Sequence, residues 1–148
     1  SITNRVPGFL DTIEGHEEYE VVYTGTGAGA LEVSATVMAE ILDQNIDFDV
    51  VLGGNDPSAL GALATLQQFG KDQGVRIYGI DGSPDFKAML ALGYVTGTSA
   101  QSPKTIGTVA AETAYDYLAG KEVPSYISIE PHLITRDNLN EYEINGWQ

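Results

Sequence analysis

The sequence predicts an α/β chain organised around a parallel sheet, and three observations carry that expectation. Strand-like and helix-like stretches alternate along the chain, and the turns between them are short. The strand-like stretch FDVVLGG (48–54) is continuously apolar, as expected of a parallel strand covered on both faces. Alternation of this kind implies right-handed crossovers.

The elements follow in order. EYEVVYT (18–24) is β-branched and aromatic, which is strand composition. LEVSATVMAEILDQ (31–44) sets Leu31, Ala35, Met38 and Leu42 on one helical face. After FDVVLGG, the segment from Pro57 to Phe69 reads as a helix that buries Leu60, Leu63 and Ala64. It stops at Gly70, a residue suited to the left-handed conformation that closes helices. VRIYGI (75–80) is the next strand and PDFKAMLAL (84–92) the next helix, ended by Gly93. YVTGTSA (94–100) leads into a helix from Pro103 to Ala119, with Ile106, Val109, Ala110 and Tyr117 inward and Gly120 closing it. In the tail, YISIE (126–130) and HLITRDNLNEY (132–142) predict a last strand and a short terminal helix.

Composition narrows the function classes. With 148 residues and 43% hydrophobic content, the chain has the size and apolar matter of one domain. Its formal net charge of -14, from 21 acids against 7 Lys and Arg, opposes nucleic acid and anionic membranes, because phosphate binding relies on clustered positive charge. No apolar run approaches the ~20 residues of a bilayer span. Zero cysteines exclude disulfides and thiolate metal sites. The first residue is Ser1 rather than Met, so a processed product or a fragment is expected.

Three successive strands end alike, in VVLGG-Asn55-Asp56-Pro57, IYGI-Asp81-Gly82-Ser83-Pro84 and TSA-Gln101-Ser102-Pro103. Each proline falls at the start of a helix, where its missing N–H costs nothing, and Asp56, Ser83 and Ser102 are good N-cap residues. Capping leaves Asn55, Asp81 and Gln101 over, one polar side chain at the carboxyl end of each strand. Any one of them reads equally as a polar turn residue. Open parallel sheets bind ligands outside those ends, and two amides with a carboxylate suit a neutral, hydroxyl-rich ligand.

GGNDPSALGA, VRIYGIDGSPD, TGTSAQSPKTIG and LITRDNLNEY together resemble the C-terminal part of type I periplasmic binding proteins, the ribose-like sugar-binding components of ABC transporters. NDxxALGA also occurs in lactose-repressor type regulators, whose effector-binding domain is the alternative. IDGSPD and the ending ITRDNLNEY look more like the transport protein. The resemblance implies an incomplete lobe of the periplasmic binding protein-like I fold, a parallel-sheet three-layer sandwich. It also implies that an arginine in an R-x-x-G-F context clamps sugar hydroxyls together with the asparagine, aspartate and glutamine just described. Here those are Arg5, Asn55, Asp81 and Gln101. A guanidinium fork and a carboxylate each hold adjacent hydroxyls in bidentate geometry. Asn4 is expected to cap the helix that carries Arg5, with Pro7 still in its first turn.

Relatives often place aromatic rings against the sugar after the strand matching EVVYT and before the IDG aspartate. Here those positions read GTGAGA and Ile80, which implies a less flat ligand such as a furanose or polyol. By the resemblance, residues 1–101 form the C-terminal lobe without its first strand, 102–130 belong to the N-terminal lobe, and 131–148 return. It further implies an ABC permease as partner, a hinge near Gln101 to Pro103, and a periplasmic or extracellular location, membrane-anchored in a Gram-positive. A second chain or a swapped dimer is expected to complete the missing lobe.

Gly25, Gly27 and Ala30 match G-x-G-x-x-A, a dinucleotide-binding pattern and a further alternative. A ribose-holding acid should then end the next strand, yet Asp47 and Asp49 precede it. His16 and His132 lie far apart without a nucleophile context, and Glu14, Glu17, Glu18 and Glu20 look like a solvated connection. The expectation is a binding protein, with no enzyme activity, cofactor or metal.

Overall fold

The computed structural model of the chain describes residues 2–148, with side chains from Asn4 onward. The elements run α1 (Ile2–Ile13), α2 (Leu31–Asp43), β1 (Val50–Leu52), α3 (Asp56–Gln68), β2 (Arg76–Asp81), α4 (Pro84–Leu92), β3 (Gly97–Ala100), α5 (Pro103–Leu118) and β4 (His132–Thr135), followed by a 3-10 turn at Leu139–Glu141. The sheet order is β1-β2-β3-β4. β1, β2 and β3 are parallel, with Val51 opposite Ile77 and Asp81 opposite Ala100; β4 returns antiparallel, Ala100 opposite His132. The fold is therefore mixed α/β with a mostly parallel sheet.

One core joins α2, α3 and α4 to the sheet. Leu66, Ile77, Phe86, Leu90 and Ile134 are wholly buried in it. Full burial of such side chains is worth roughly 1.5–3 kcal/mol each. The helix ends obey local rules. Ser83 accepts from Phe86 N at 3.3 Å as the N-cap of α4. Gly93, at φ 82, closes the same helix while Tyr94 N reaches back to Met89 O at 3.0 Å. Gly70 and Gly120 adopt the same hand after α3 and α5.

Several expectations are corrected. EYEVVYT pairs with no strand among the described residues, and neither does YISIE; the last strand is HLIT instead. A strand needs a neighbour's backbone, and local propensity supplies none. β1 was expected to be covered on both faces, yet Val50 and Leu52 are 42% and 44% exposed. It pairs only with β2 and so forms an edge among the described residues. α2 buries Ser34, Met38 and Ile41, leaving Leu31 exposed; α3 buries Ala59, Ala62, Leu63 and Leu66, leaving Ala64 exposed. α5 buries no residue, although Ile106, Val109, Ala110 and Tyr117 were expected inward. α1 already runs at Ile2, so Asn4 lies inside the helix instead of capping it, and Pro7 lies beyond the first turn.

Candidate functional site

Arg5, on α1, reaches across to the carboxyl ends of β1 and β2. Its Nη1 donates to the Gly54 carbonyl at 2.9 Å and its Nη2 to Asp81 Oδ1 at 3.0 Å. Gln101, just past β3, donates Nε2 to the same Asp81 oxygen at 2.7 Å. Three predicted residues from three elements thus meet on one carboxylate oxygen. The pair is largely screened from solvent, with side-chain exposures of 17% for Arg5 and 23% for Asp81.

Asn55 is adjacent but differently engaged. Its Oδ1 accepts from Ser58 N at 3.0 Å, so Asn55, not Asp56, is the N-cap of α3. Its Nδ2 donates to the Gly29 carbonyl at 3.0 Å, which ties the loop before α2 to the end of β1. Asn55, expected to stay free of capping, thus spends its oxygen on the cap, while one amide N–H remains unused by these bonds. Ser102 makes no side-chain cap bond at α5.

Asp56, expected as the cap, is instead the first residue of α3 and wholly buried. Its Oδ2 accepts from Ser83 N at 2.7 Å and its Oδ1 from Thr98 Oγ1 at 2.7 Å. Desolvation raises its pKa above the ordinary carboxylate value of 3.8, against the lowering effect of the Ser83 amide and the Thr98 hydroxyl. Thr98 Oγ1 in turn accepts from Gly82 N at 3.1 Å.

This buried network explains how the chain tolerates the backbone at Asp81. Its φ is 134°, a region that L residues rarely occupy and that costs on the order of 1–3 kcal/mol. The two amides after it are held by Thr98 and Asp56, and its carbonyl accepts from Gln101 N at 3.2 Å. Strain of this kind persists only where neighbours over-determine it, and here it aims a carboxylate. Gly79 keeps the arrangement compact: a Cβ there would overlap the Asp56 carboxylate and the Phe86 ring.

Chemically, Arg5 and Asp81 cancel each other's charge. The remaining guanidinium N–H groups, the amide groups of Gln101 and Asn55, and the second Asp81 oxygen form a mixed donor and acceptor set. Such a set fits hydroxyl groups better than a phosphate or carboxylate.

A groove of about 370 Å³ lies beside this cluster, lined by Val6, Val22, Met38, Val50, Leu52 and Asn55 among others. The G-x-G-x-x-A loop forms part of its wall. Packing accounts for those glycines: a Cβ at Gly25 would meet Tyr23 and Val37 at 2.8 Å, and one at Gly27 would overlap the Ser34 hydroxyl. Among the described residues, no three or more His, Cys, Asp or Glu gather so as to hold a metal. His16 bonds Glu18 at 3.0 Å on the exposed connection after α1, and no helix among the described residues is long and apolar enough to cross a membrane.

A half-open α/β lobe with a polar cluster at its strand ends is the form of a ligand-binding domain. The chain belongs to the periplasmic binding protein domain family, whose model matches residues 1–122. It is 39% identical over 101 residues to the ribose import binding protein of Bacillus subtilis (strain 168), covering 68% of this chain and 32% of that one. It is 36% identical over 132 residues to the ribose import binding protein of Escherichia coli (strain K12), covering 89% and 44%. The chain thus spans less than half the length of these relatives. Among solved structures, it resembles an ABC transporter solute binding protein from Bacillus halodurans C-125 with bound myo-inositol, at TM-score 0.88 and 30% identity, covering 95% of this chain and 49% of that one. The Caulobacter myo-inositol binding protein matches at TM-score 0.87 and 28% identity, covering 97% and 50%.

The sequence gives no signal for Thr98, for the inward-facing Asp56 or for the Gly54 carbonyl. Only the glycine in IDGSPD hinted at the special backbone beside Asp81.

Proposed function

We propose that this chain is the larger part of the C-terminal lobe of a solute-binding component of an ABC sugar importer, and that it binds a monosaccharide or polyol without chemistry. The observation that carries this reading is the meeting of Arg5 and Gln101 on Asp81 Oδ1 at the carboxyl ends of the sheet. Asn55 completes the set with its unused amide N–H. Mutual neutralisation of Arg5 and Asp81 supports an uncharged ligand. The names of the relatives support the same class: a ribose import binding protein, a D-allose-binding periplasmic protein and a myo-inositol binding protein. With Ile80 and a glycine-rich loop where aromatic rings would stack, a furanose or a polyol fits better than a flat pyranose.

Residues 1–101 make the binding lobe without its first strand, 102–130 belong to the opposite lobe, and 131–148 return as β4 and the tail. Support comes from α5, where Tyr115, Tyr117 and Leu118 are 75%, 69% and 80% exposed, a face that a second lobe would cover. The open edge of β1 beside the unpaired 18–24 stretch supports a strand supplied from elsewhere, by a longer chain or a second copy. The partner is a membrane permease, and the location is periplasmic or extracellular.

Titration calorimetry of the full-length parent protein with D-ribose, D-allose and myo-inositol tests this. Heat of binding with at least one is expected, at one site per protein. Silence with all three, together with binding of a phosphorylated or carboxylated ligand, would overturn it.

A further inference from the structure

Lys87 lies next to Phe86 on α4 and is wholly buried. Its Nζ donates to the Glu143 carbonyl at 2.6 Å, the Gly146 carbonyl at 2.7 Å and Gln148 Oε1 at 3.3 Å, so all three ammonium hydrogens are used. A buried cation persists only with such compensation. What it grips is the tail from Glu143 to Gln148.

Held by its oxygen, Gln148 turns its amide nitrogen onto two backbone carbonyls. Nε2 donates to Gln101 O at 2.6 Å and to Asp81 O at 3.3 Å. These carbonyls belong to the two residues whose side chains share the 2.7 Å bond of the candidate site. The fit leaves no slack, since a Cβ at Gly82 would overlap both Gln148 Nε2 and Ala100 Cβ. Asp81 also carries the strained φ of 134°, and Gln148 restrains the carbonyl side of that residue while Thr98 and Asp56 restrain the amides beyond it.

We propose that Gln148 is a positioning residue for ligand capture: its amide cross-ties the ends of β2 and β3, so that Asp81 and Gln101 present their side chains at fixed spacing, and Lys87 sets Gln148 in that place. The inference rests on the sugar-binding reading above. Gln148 touches no ligand and acts only through the two residues it ties.

The test is titration of the full-length protein with D-ribose, D-allose and myo-inositol, at one temperature well below unfolding. Gln148→Glu keeps the size but cannot donate to the carbonyls, and Gln148→Ala removes the group without adding charge. Both are expected to weaken binding about tenfold, the scale of one or two lost hydrogen bonds. Leu66→Ala, in the core at the far end of α3, lowers stability without touching the strand ends and is expected to leave affinity unchanged. Wild-type affinity in both Gln148 variants would overturn the positioning role while leaving the sugar reading intact. A loss in Leu66→Ala equal to that in Gln148→Ala would also overturn it, since affinity would then follow stability. Absence of binding by the unmutated protein would overturn the sugar reading and this inference with it.

Discussion

Two regions of the molecule are finished to different degrees. Around β2, β3 and α4 every core side chain is covered: Ile77, Phe86, Leu90 and Ile134 have no exposed area, and even a carboxylate and an ammonium are buried with their partners satisfied. Around β1 and α5 apolar side chains face solvent, and the 18–24 stretch forms no strand, its Val22 and Tyr23 sharing a groove with the unpaired edge of β1. The difference teaches that Asp81, at the centre of the candidate site, is held from the complete half, while under the proposed reading the incomplete half is the face a second lobe would cover.

Phe86→Ala should break the finished half hardest. Removing a wholly buried ring costs about 3–5 kcal/mol, read by chemical denaturation. A loss below 1 kcal/mol would mean that the two halves do not differ in packing as described.

Asp56→Ala orphans the Ser83 amide and the Thr98 hydroxyl and should cost about 2–4 kcal/mol. The pH dependence of this residue gives a sharper mark. Burial raises its native pKa above 3.8, so the native chain holds this proton more tightly than the unfolded chain does. Its contribution is therefore most favourable below 3.8 and is lost as pH rises through the window up to the raised native value. Asp56→Asn should flatten that fall. An unchanged pH profile in the variant would refute the assignment.

Asp81→Ala in the full-length protein should weaken sugar binding by about 10- to 100-fold, since charge-assisted bonds are lost at the centre of the cluster. Calorimetry showing undiminished affinity would detach the cluster from the ligand.

Tyr117→Ala probes the unfinished half. In the 148-residue chain by itself the change should be worth under about 0.5 kcal/mol, because the side chain is 69% exposed. In the full-length protein the same change should cost about 2 kcal/mol or more, as for a covered ring. Equal, small effects in both would remove the argument that α5 meets another lobe.

Much of the fold was readable in advance. The Pro and Ser pairs that open α4, the glycines that close α3, α4 and α5, and the apolar runs of β1 and β2 are signals carried within a few residues. That Arg5, Asp81 and Gln101 meet was also readable: Asp81 and Gln101 fall at strand ends, and Arg5 was picked out by its R-x-x-G-F context through the resemblance. What failed had causes at long range. EYEVVYT has strand composition, but pairing is decided by a neighbouring strand, and among the described residues none pairs with it. Asn55 and Asp56 exchanged roles because either can cap, and only the sheet beneath α3, with Thr98 facing it, decides which turns inward. Lys87 gave no local hint of burial, since its partners lie 56 to 61 residues further along the chain.

That lysine has a practical consequence. Lys71, Lys104 and Lys121 are exposed, whereas Lys87 is sealed under the tail and its pKa is lowered by desolvation. Brief acylation followed by peptide mass mapping should therefore mark the first three and spare the fourth, and the appearance of label at Lys87 becomes a direct chemical gauge of how often the tail lifts from its seat.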